Sequence, residues 1–167
     1  GHVAVFRAIV HEAGADAALE AQLSGALQRT DVPSLKGLAR NLDAKMRGAL
    51  LLLPELYGGA EVLAIADKKL PKLPGLTRAL ATLRALAKAC SIPASFDLAE
   101  LRGYHYHSGV VFDAYCDGMA GPVARGGRYD EVGKAFGRPR PATGFSIDLR
   151  GLAAAARLPA PRKGARR

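Results

Sequence analysis

Leu101-Arg-Gly-Tyr-His-Tyr-His-Ser-Gly-Val-Val-Phe-Asp113 is the stretch on which the reading of this chain turns. Two shorter segments follow it, Arg125-Gly-Gly-Arg-Tyr-Asp130 and Ala142-Thr-Gly-Phe-Ser-Ile-Asp-Leu149. Together they gather arginine, histidine, tyrosine and glycine, the residues from which a polar ligand site is built. Residues 109–116 are rich in Val, Phe and Tyr and read as a strand. Asp117-Gly118 signals a turn and Gly121-Pro122 closes it. Residues 123–125 then return as a strand, and residues 144–149 read as another. A further strand is expected over residues 94–98. A short helix after Gly127 would run through Tyr129 to Phe136, and residues 152–157 suit an Ala-rich helix.

Outward from this ribbon the text changes period. Val3, Phe6, Ala8 and Val10 suit a helix over residues 3–13 that stops at Gly14. Leu19, Leu23, Ala26 and Leu27 follow at helical spacing behind an Asp16 cap. Ser34 is expected to cap a third helix through Leu35, Leu38 and Leu42. Residues 45–53 form a fourth, and a fifth runs from Ala60 to Lys69 after the Gly58-Gly59 break. Pro71 and Pro74 make a linker. Beyond it, Leu76, Leu80, Leu83, Ala87 and Cys90 lie on one stripe of a helix whose solvated side carries Arg78 and Lys88. Helices first and antiparallel strands second define an α+β chain. Residues 1–92 are read as a helical connecting region, 93–157 as a sheet-bearing core, and 158–167 as a disordered basic tail.

The 167 residues, 49% hydrophobic and 23% charged, are enough to bury a core. No apolar run reaches the ~20 residues of a membrane span. The formal charge is +9, but residues 157–167 hold Arg157, Arg162, Lys163, Arg166 and Arg167 without an acid. Without them 19 basic residues face 15 acidic ones, so the excess is largely a tail effect and nucleic acid is not the expected partner. Cys90 and Cys116 read as two buried, reduced thiols of a cytoplasmic protein.

Local chemistry offers candidates without naming a reaction. Arg102 could hold a carboxylate or phosphate by two parallel hydrogen bonds, or could sit in a surface ion pair. In a regular strand His105 and His107 share one face, and Tyr104 and Tyr106 the other. His105-x-His107 could chelate a metal, but no further ligands lie near, and the reading carries no metal. Gly126 and Gly127 would let backbone approach a ligand beside Arg128 and Tyr129. The Lys-Ser/Thr end of a phosphate loop is missing. No nucleophile motif is present, and no catalytic residue or cofactor is assigned.

The three segments resemble the histidyl-tRNA synthetase family, a branch of the class II synthetase folds. The family's Arg-Gly-Leu-Asp-Tyr-Tyr-Thr-Gly-x-Val-Phe-Glu corresponds to residues 102–113. Its Gly-Gly-Gly-Arg-Tyr-Asp corresponds to residues 125–130, and its last motif, Gly-Phe-Ala-x-Gly-Leu-Glu-Arg-Leu, to residues 144–152. The resemblance implies an amino-acid pocket formed by Arg102, Tyr106, His107, Gly126, Gly127, Arg128 and Tyr129. The departures carry as much meaning. The arginine that holds ATP in the last motif falls on Gly151, with Arg150 one position early, and His107 replaces a tyrosine. In these departures the chain is similar to the regulatory subunits of ATP phosphoribosyltransferase, synthetase paralogues that do not aminoacylate.

That resemblance implies a short-form catalytic subunit as partner, self-association of the full-length protein as a dimer, histidine as the ligand, and a role in activation and feedback in the first step of histidine biosynthesis. A divergent histidyl-tRNA synthetase fragment is the alternative. Joint use of Arg102 and His107 would require a bulge or bend near Gly103, because residues of opposite parity on a strand point apart. The two earlier class II motifs are not in the sequence. The chain is therefore read as a C-terminal fragment whose half sheet shows an unpaired edge and exposed apolar surface.

Overall fold

A computed structural model describes residues 1–156. Six helices come first: α1 (Ala4–Glu12), α2 (Ala17–Gln28), α3 (Val32–Ala39), α4 (Ala44–Leu52), α5 (Glu61–Lys69) and α6 (Pro74–Ala89). Their ends follow local chemistry. Gly14 takes a positive φ of 65° just past α1, a conformation glycine reaches without a Cβ clash. The Asp16 carboxylate accepts the Leu19 amide at 2.8 Å and caps α2. The cap of α3 is Asp31, which accepts the Ser34 amide at 3.1 Å. Ser34, the expected cap, already lies in the first turn with Pro33, and Leu42 falls beyond the helix.

The expected linker proline, Pro74, is the first residue of α6, where its missing N–H costs nothing. Leu76, Leu80 and Leu83 of α6 are buried against α1. Ala87 is partly buried against the same core, and the stripe leaves it at Cys90. Cys90 is exposed and Cys116 half-buried, and both are free thiols, so the expected burial of the cysteines does not hold.

Two sheets follow. The expected strand over residues 94–98 shortens to β2 (Phe96–Asp97), which pairs antiparallel with β1 (Tyr57–Gly58) and not with the ribbon. The main sheet has the order β3 (Val111–Ala114), β4 (Ala124–Arg128), β5 (Thr143–Ile147), all antiparallel. Gly126 and Gly127 therefore lie in its central strand. The expected helix through Tyr129 is a short 3-10 segment over Val132–Phe136, with Tyr129 left at the end of β4. The closing helix α7 (Leu149–Ala156) starts earlier than expected, because the Asp148 carboxylate accepts the Gly151 amide at 2.9 Å. Residue 157 lies outside the described residues.

The start of the chain runs beside β3. His2 bridges Val110, Val3 donates to the Gly109 carbonyl and Val111 to that of Gly1, both at 3.0 Å. One hydrophobic core then joins α1–α6 to Leu98, Leu101, Tyr104 and Val111. The side of the sheet bearing Phe112, Phe145 and Ile147 leaves these side chains 44%, 67% and 44% exposed, the apolar surface expected of a half sheet. Among the described residues, no helix is long and apolar enough to cross a membrane.

His2 sits at this seam with its Nδ1 accepting the Ala4 amide at 3.2 Å. Burial, then the positive charges of Arg128 and Arg7, push its pKa down to about 4. The folded pKa lies below the unfolded value, so the unfolded chain takes up the proton first as pH falls. Stability should therefore drop between about pH 6.5 and about 4 on account of this residue. His2→Asn keeps an acceptor for Ala4 and removes the titration. Its melting temperature should change less than that of the parent between about pH 6.5 and 5, above the carboxylate range. Equal slopes for the two proteins would contradict the assignment.

Candidate functional site

Residues 102–106 are consecutive turns, not a strand. Gly103 adopts φ 64°, Tyr104 donates to the Leu101 carbonyl at 2.9 Å, and Tyr106 and His107 both donate to the Gly103 carbonyl at 2.8 Å. The anticipated irregularity is thus at Gly103 itself, and the expected alternation of tyrosine and histidine faces does not occur. Tyr104 turns into the core. Its ring meets Phe6 edge-on at 5.3 Å, and its hydroxyl donates to Glu20 at 2.5 Å. Burial and the Glu20 carboxylate push this phenol up to about 12. Arg7 stands 5.0 Å from the Tyr104 ring centre and donates to the carbonyls of Tyr104 and His107 at 3.3 and 3.4 Å. His105 is exposed.

Tyr106 and His107 turn instead toward Tyr129. The two tyrosine rings lie 5.0 Å apart, and the His107 ring is 5.3 Å from Tyr106 and 6.5 Å from Tyr129. This trio covers the glycine face of the sheet. Gly127 and Gly144 are register partners. A Cβ at Gly127 would stand 2.5 Å from both His107 Cδ2 and the Val110 carbonyl, and one at Gly144 would collide with the Tyr129 hydroxyl. The aromatic rings therefore sit where side chains of the sheet would otherwise be. His107 also folds back over Gly103, its Nδ1 being 2.7 Å from a Cβ built there.

Arg102 borders the same face but is occupied. It donates to Glu100 at 2.6 Å and pairs with Asp113 at 2.6 Å, and Arg125 approaches Asp113 at 3.6 Å. The bond to Glu100 raises the Arg102 pKa above the ordinary arginine value. Burial alone would raise the Glu100 carboxyl, yet hydrogen bonds from the Arg102 side chain and amide outweigh it and hold that pKa down. Asp113 and Arg125 are register partners, which places them on the same side as Val111 and Gly127.

Gly126 and Arg128 lie on the other side. A Cβ at Gly126 would stand 2.7 Å from Phe145 Cβ and 2.8 Å from Phe112 Cε1. Arg128 pairs with Asp130 at 2.9 Å. It also lines a cavity of about 780 Å³ between the sheet and α6, with Arg78, Thr82, Phe112 and Phe145. The structure thus gathers Tyr106, His107, Gly127 and Tyr129, with Arg102 at the margin, and separates Gly126 and Arg128 from them. Ser108 spans the junction, its hydroxyl accepting the Asp130 amide at 2.8 Å. Sequence reasoning missed Arg7, Glu20, Glu100 and Asp113. Only Asp113 carries a local signal, an acid inside an apolar strand. The others reach the site through tertiary contact.

Helices packed on an antiparallel sheet, with an aromatic cluster over its glycines, define a class II aminoacyl-tRNA synthetase-like fold. The family model described as histidyl-tRNA synthetase matches residues 1–152. The chain belongs to that family. It is 55% identical to the ATP phosphoribosyltransferase regulatory subunit of Nitrosospira multiformis, over 91% of this chain and 40% of the relative. It is 54% identical to the protein of the same name from Thiobacillus denitrificans, over 93% of this chain and 49% of the relative. The chain therefore spans less than half the length of these relatives. Among solved structures, it superposes with a TM-score of 0.76 and 27% identity on an ATP phosphoribosyltransferase regulatory subunit/histidyl-tRNA synthetase from Bacillus halodurans. That match covers 93% of this chain and 42% of the other.

Proposed function

We propose that this chain is part of a non-catalytic regulatory subunit of ATP phosphoribosyltransferase. In this reading it works in the cytoplasm, activates a short-form catalytic subunit and carries histidine feedback to it. The observation that supports this best is at Gly151, where the family's last motif has its ATP-holding arginine. The space a side chain at Gly151 would enter is taken by the Met119 methyl group and by Asp148 Oδ2, which stands 2.6 Å from a Cβ built there. Arg150 is exposed one residue earlier on α7, about 100° around the helix, and does not substitute for it. Without that cation the negative charge of an adenylate-forming transition state loses a principal stabiliser.

In the same reading the aromatic cluster over Gly127 is where histidine binds. Tyr106, His107 and Tyr129 line the imidazole, and Arg102 faces the α-carboxylate. Histidine then shifts the assembly through its different affinities for two states, with a coupling of about 1–3 kcal/mol. Arg102→Ala leaves the Glu100 and Asp113 carboxylates facing the ligand with only Arg125 to offset them. It should weaken the histidine response at least ~10-fold, because a charge-assisted hydrogen bond is worth about 1.5–3 kcal/mol.

The test is the phosphoribosyl transfer rate of a short-form catalytic subunit from the same source, with and without the full-length protein, across a histidine titration. Activation that histidine reverses, and that responds less to histidine in the Arg102→Ala protein, is the expected result. No effect on the rate, with histidine-dependent pyrophosphate exchange by this protein alone, would replace the regulatory reading by a synthetase one.

A further inference from the structure

We infer that the loop between β4 and β5 forms a second ligand site, for the phosphate oxygens of a small molecule. The loop is closed at its base. Tyr129 donates to the Ala142 carbonyl at 2.9 Å, and the Ala142 amide reaches Asp130 Oδ1 at 3.3 Å. Between these points the chain folds on itself. A Cβ at Gly133 would stand 2.5 Å from the Arg138 carbonyl, and Gly137 takes φ 108°. The result is a cavity of about 570 Å³ lined by Tyr129, Val132, Gly133, Arg138, Arg140 and Ala142, among others. Compact closed loops of this length are common carriers of binding sites.

Its charge is one-sided. Both Arg138 and Arg140 are exposed, and among the described residues no acidic side chain lines the cavity. The acids nearby are engaged elsewhere, Glu131 by Lys134 and Asp130 by Arg128. Among the described residues neither Arg138 nor Arg140 makes an ion pair. Two guanidinium groups in one concavity repel each other and lower the energy of an anion placed between them. Pro139 and Pro141 alternate with them. A proline fixes its own φ and holds the preceding residue extended, so both arginines sit on backbone that is ordered before any ligand arrives. Binding then loses less entropy. The planar fork of arginine matches the oxygens of a phosphate in pairs, and the volume accommodates a diphosphate group. Tyr129 borders both sites, but neither arginine belongs to the group over Gly127, so the arginine variants report on this site apart from the regulatory reading.

Inorganic pyrophosphate is the probe, titrated into the protein by calorimetry, with acetate as a carboxylate control. Saturable pyrophosphate binding is expected, with acetate far weaker. Arg138→Gln and Arg140→Gln should each weaken it ~10-fold or more, the loss of one charge-assisted pair, and the double variant should abolish it. Arg138→Lys should retain part of the affinity, and Arg40→Gln, at an exposed arginine beyond α3, all of it. The substituted side chains are exposed, so an unchanged far-ultraviolet spectrum should verify the fold. Absence of pyrophosphate binding, binding that survives the double variant, or equal binding of acetate would each overturn the assignment.

Discussion

Phe6→Ala is expected to destabilise the protein by about 3–5 kcal/mol, the range for truncating a buried phenylalanine. Phe6 is fully buried in α1, so nothing on the surface can collapse into the space it leaves. Its ring also supports Tyr104 edge-on at 5.3 Å. An aromatic pair of this geometry adds about 0.5–1.5 kcal/mol beyond area burial. Losing it frees the loop that places Tyr106 and His107. The melting temperature should fall by roughly 10 °C for a chain of this size. The conservative Phe6→Leu should lose much less. A loss under about 1 kcal/mol for the alanine variant, measured by urea unfolding, would mean that α1 does not anchor the loop.

Gly127→Ala should have the larger effect on function. A methyl group there stands 2.5 Å from the Val110 carbonyl and 2.5 Å from the His107 ring. The imidazole can swing away, but the carbonyl is fixed by the Arg128 amide at 2.8 Å. The expected outcome is a stability loss of about 1–3 kcal/mol from overpacking. Expulsion of His107 from the glycine face should accompany it. In the regulatory reading, the histidine concentration needed for half inhibition should then rise at least ~10-fold, a cost of about 1.4 kcal/mol in the ligand-bound state. Gly48→Ala is the control, since a Cβ there meets nothing within 4 Å and lies inside α4. It should be neutral or stabilising by up to ~1 kcal/mol. A histidine response left intact in Gly127→Ala would remove His107 from the pocket.

The helices were legible because their signals are local. Asp16 and Gly14 sit at helix ends for reasons of hydrogen bonding and φ that each residue carries with it. The α3 cap was misplaced although Pro33 marks the first turn and points back to Asp31. The β1–β2 pair was illegible because two residues carry no period, and their partners lie some forty positions apart. Tyr-His-Tyr-His imitates a strand in its alternation, and only the left-handed φ at Gly103 decides otherwise. The site was legible as a set of residues but not as a side of the sheet. Which of Gly126 and Gly127 faces His107 is fixed by register with Val111 and Gly144, and a run of two glycines contains no such information. Likewise the partner of Arg102 was open between a ligand and an acid until β3 placed Asp113 beside it.

The bridge between His2 and Val110 has a consequence for the order in which the molecule assembles. The β3–β5 ribbon is contiguous in sequence and can form from nearby contacts, whereas the helical part is completed only when α6 packs on α1 from the far end of the six helices. With α1 held on α6, joining the two parts still requires closing the segment from Ala89 to Val110, whose entropy must be overcome before the bridge returns any stability. The Tyr104–Glu20 hydrogen bond, 84 positions apart, belongs to the same late step. The pocket over Gly127 lies on the ribbon side of that junction, while Arg7 and Glu20 hold its loop from the helical side. A nascent chain would therefore carry both halves before it carries a finished pocket.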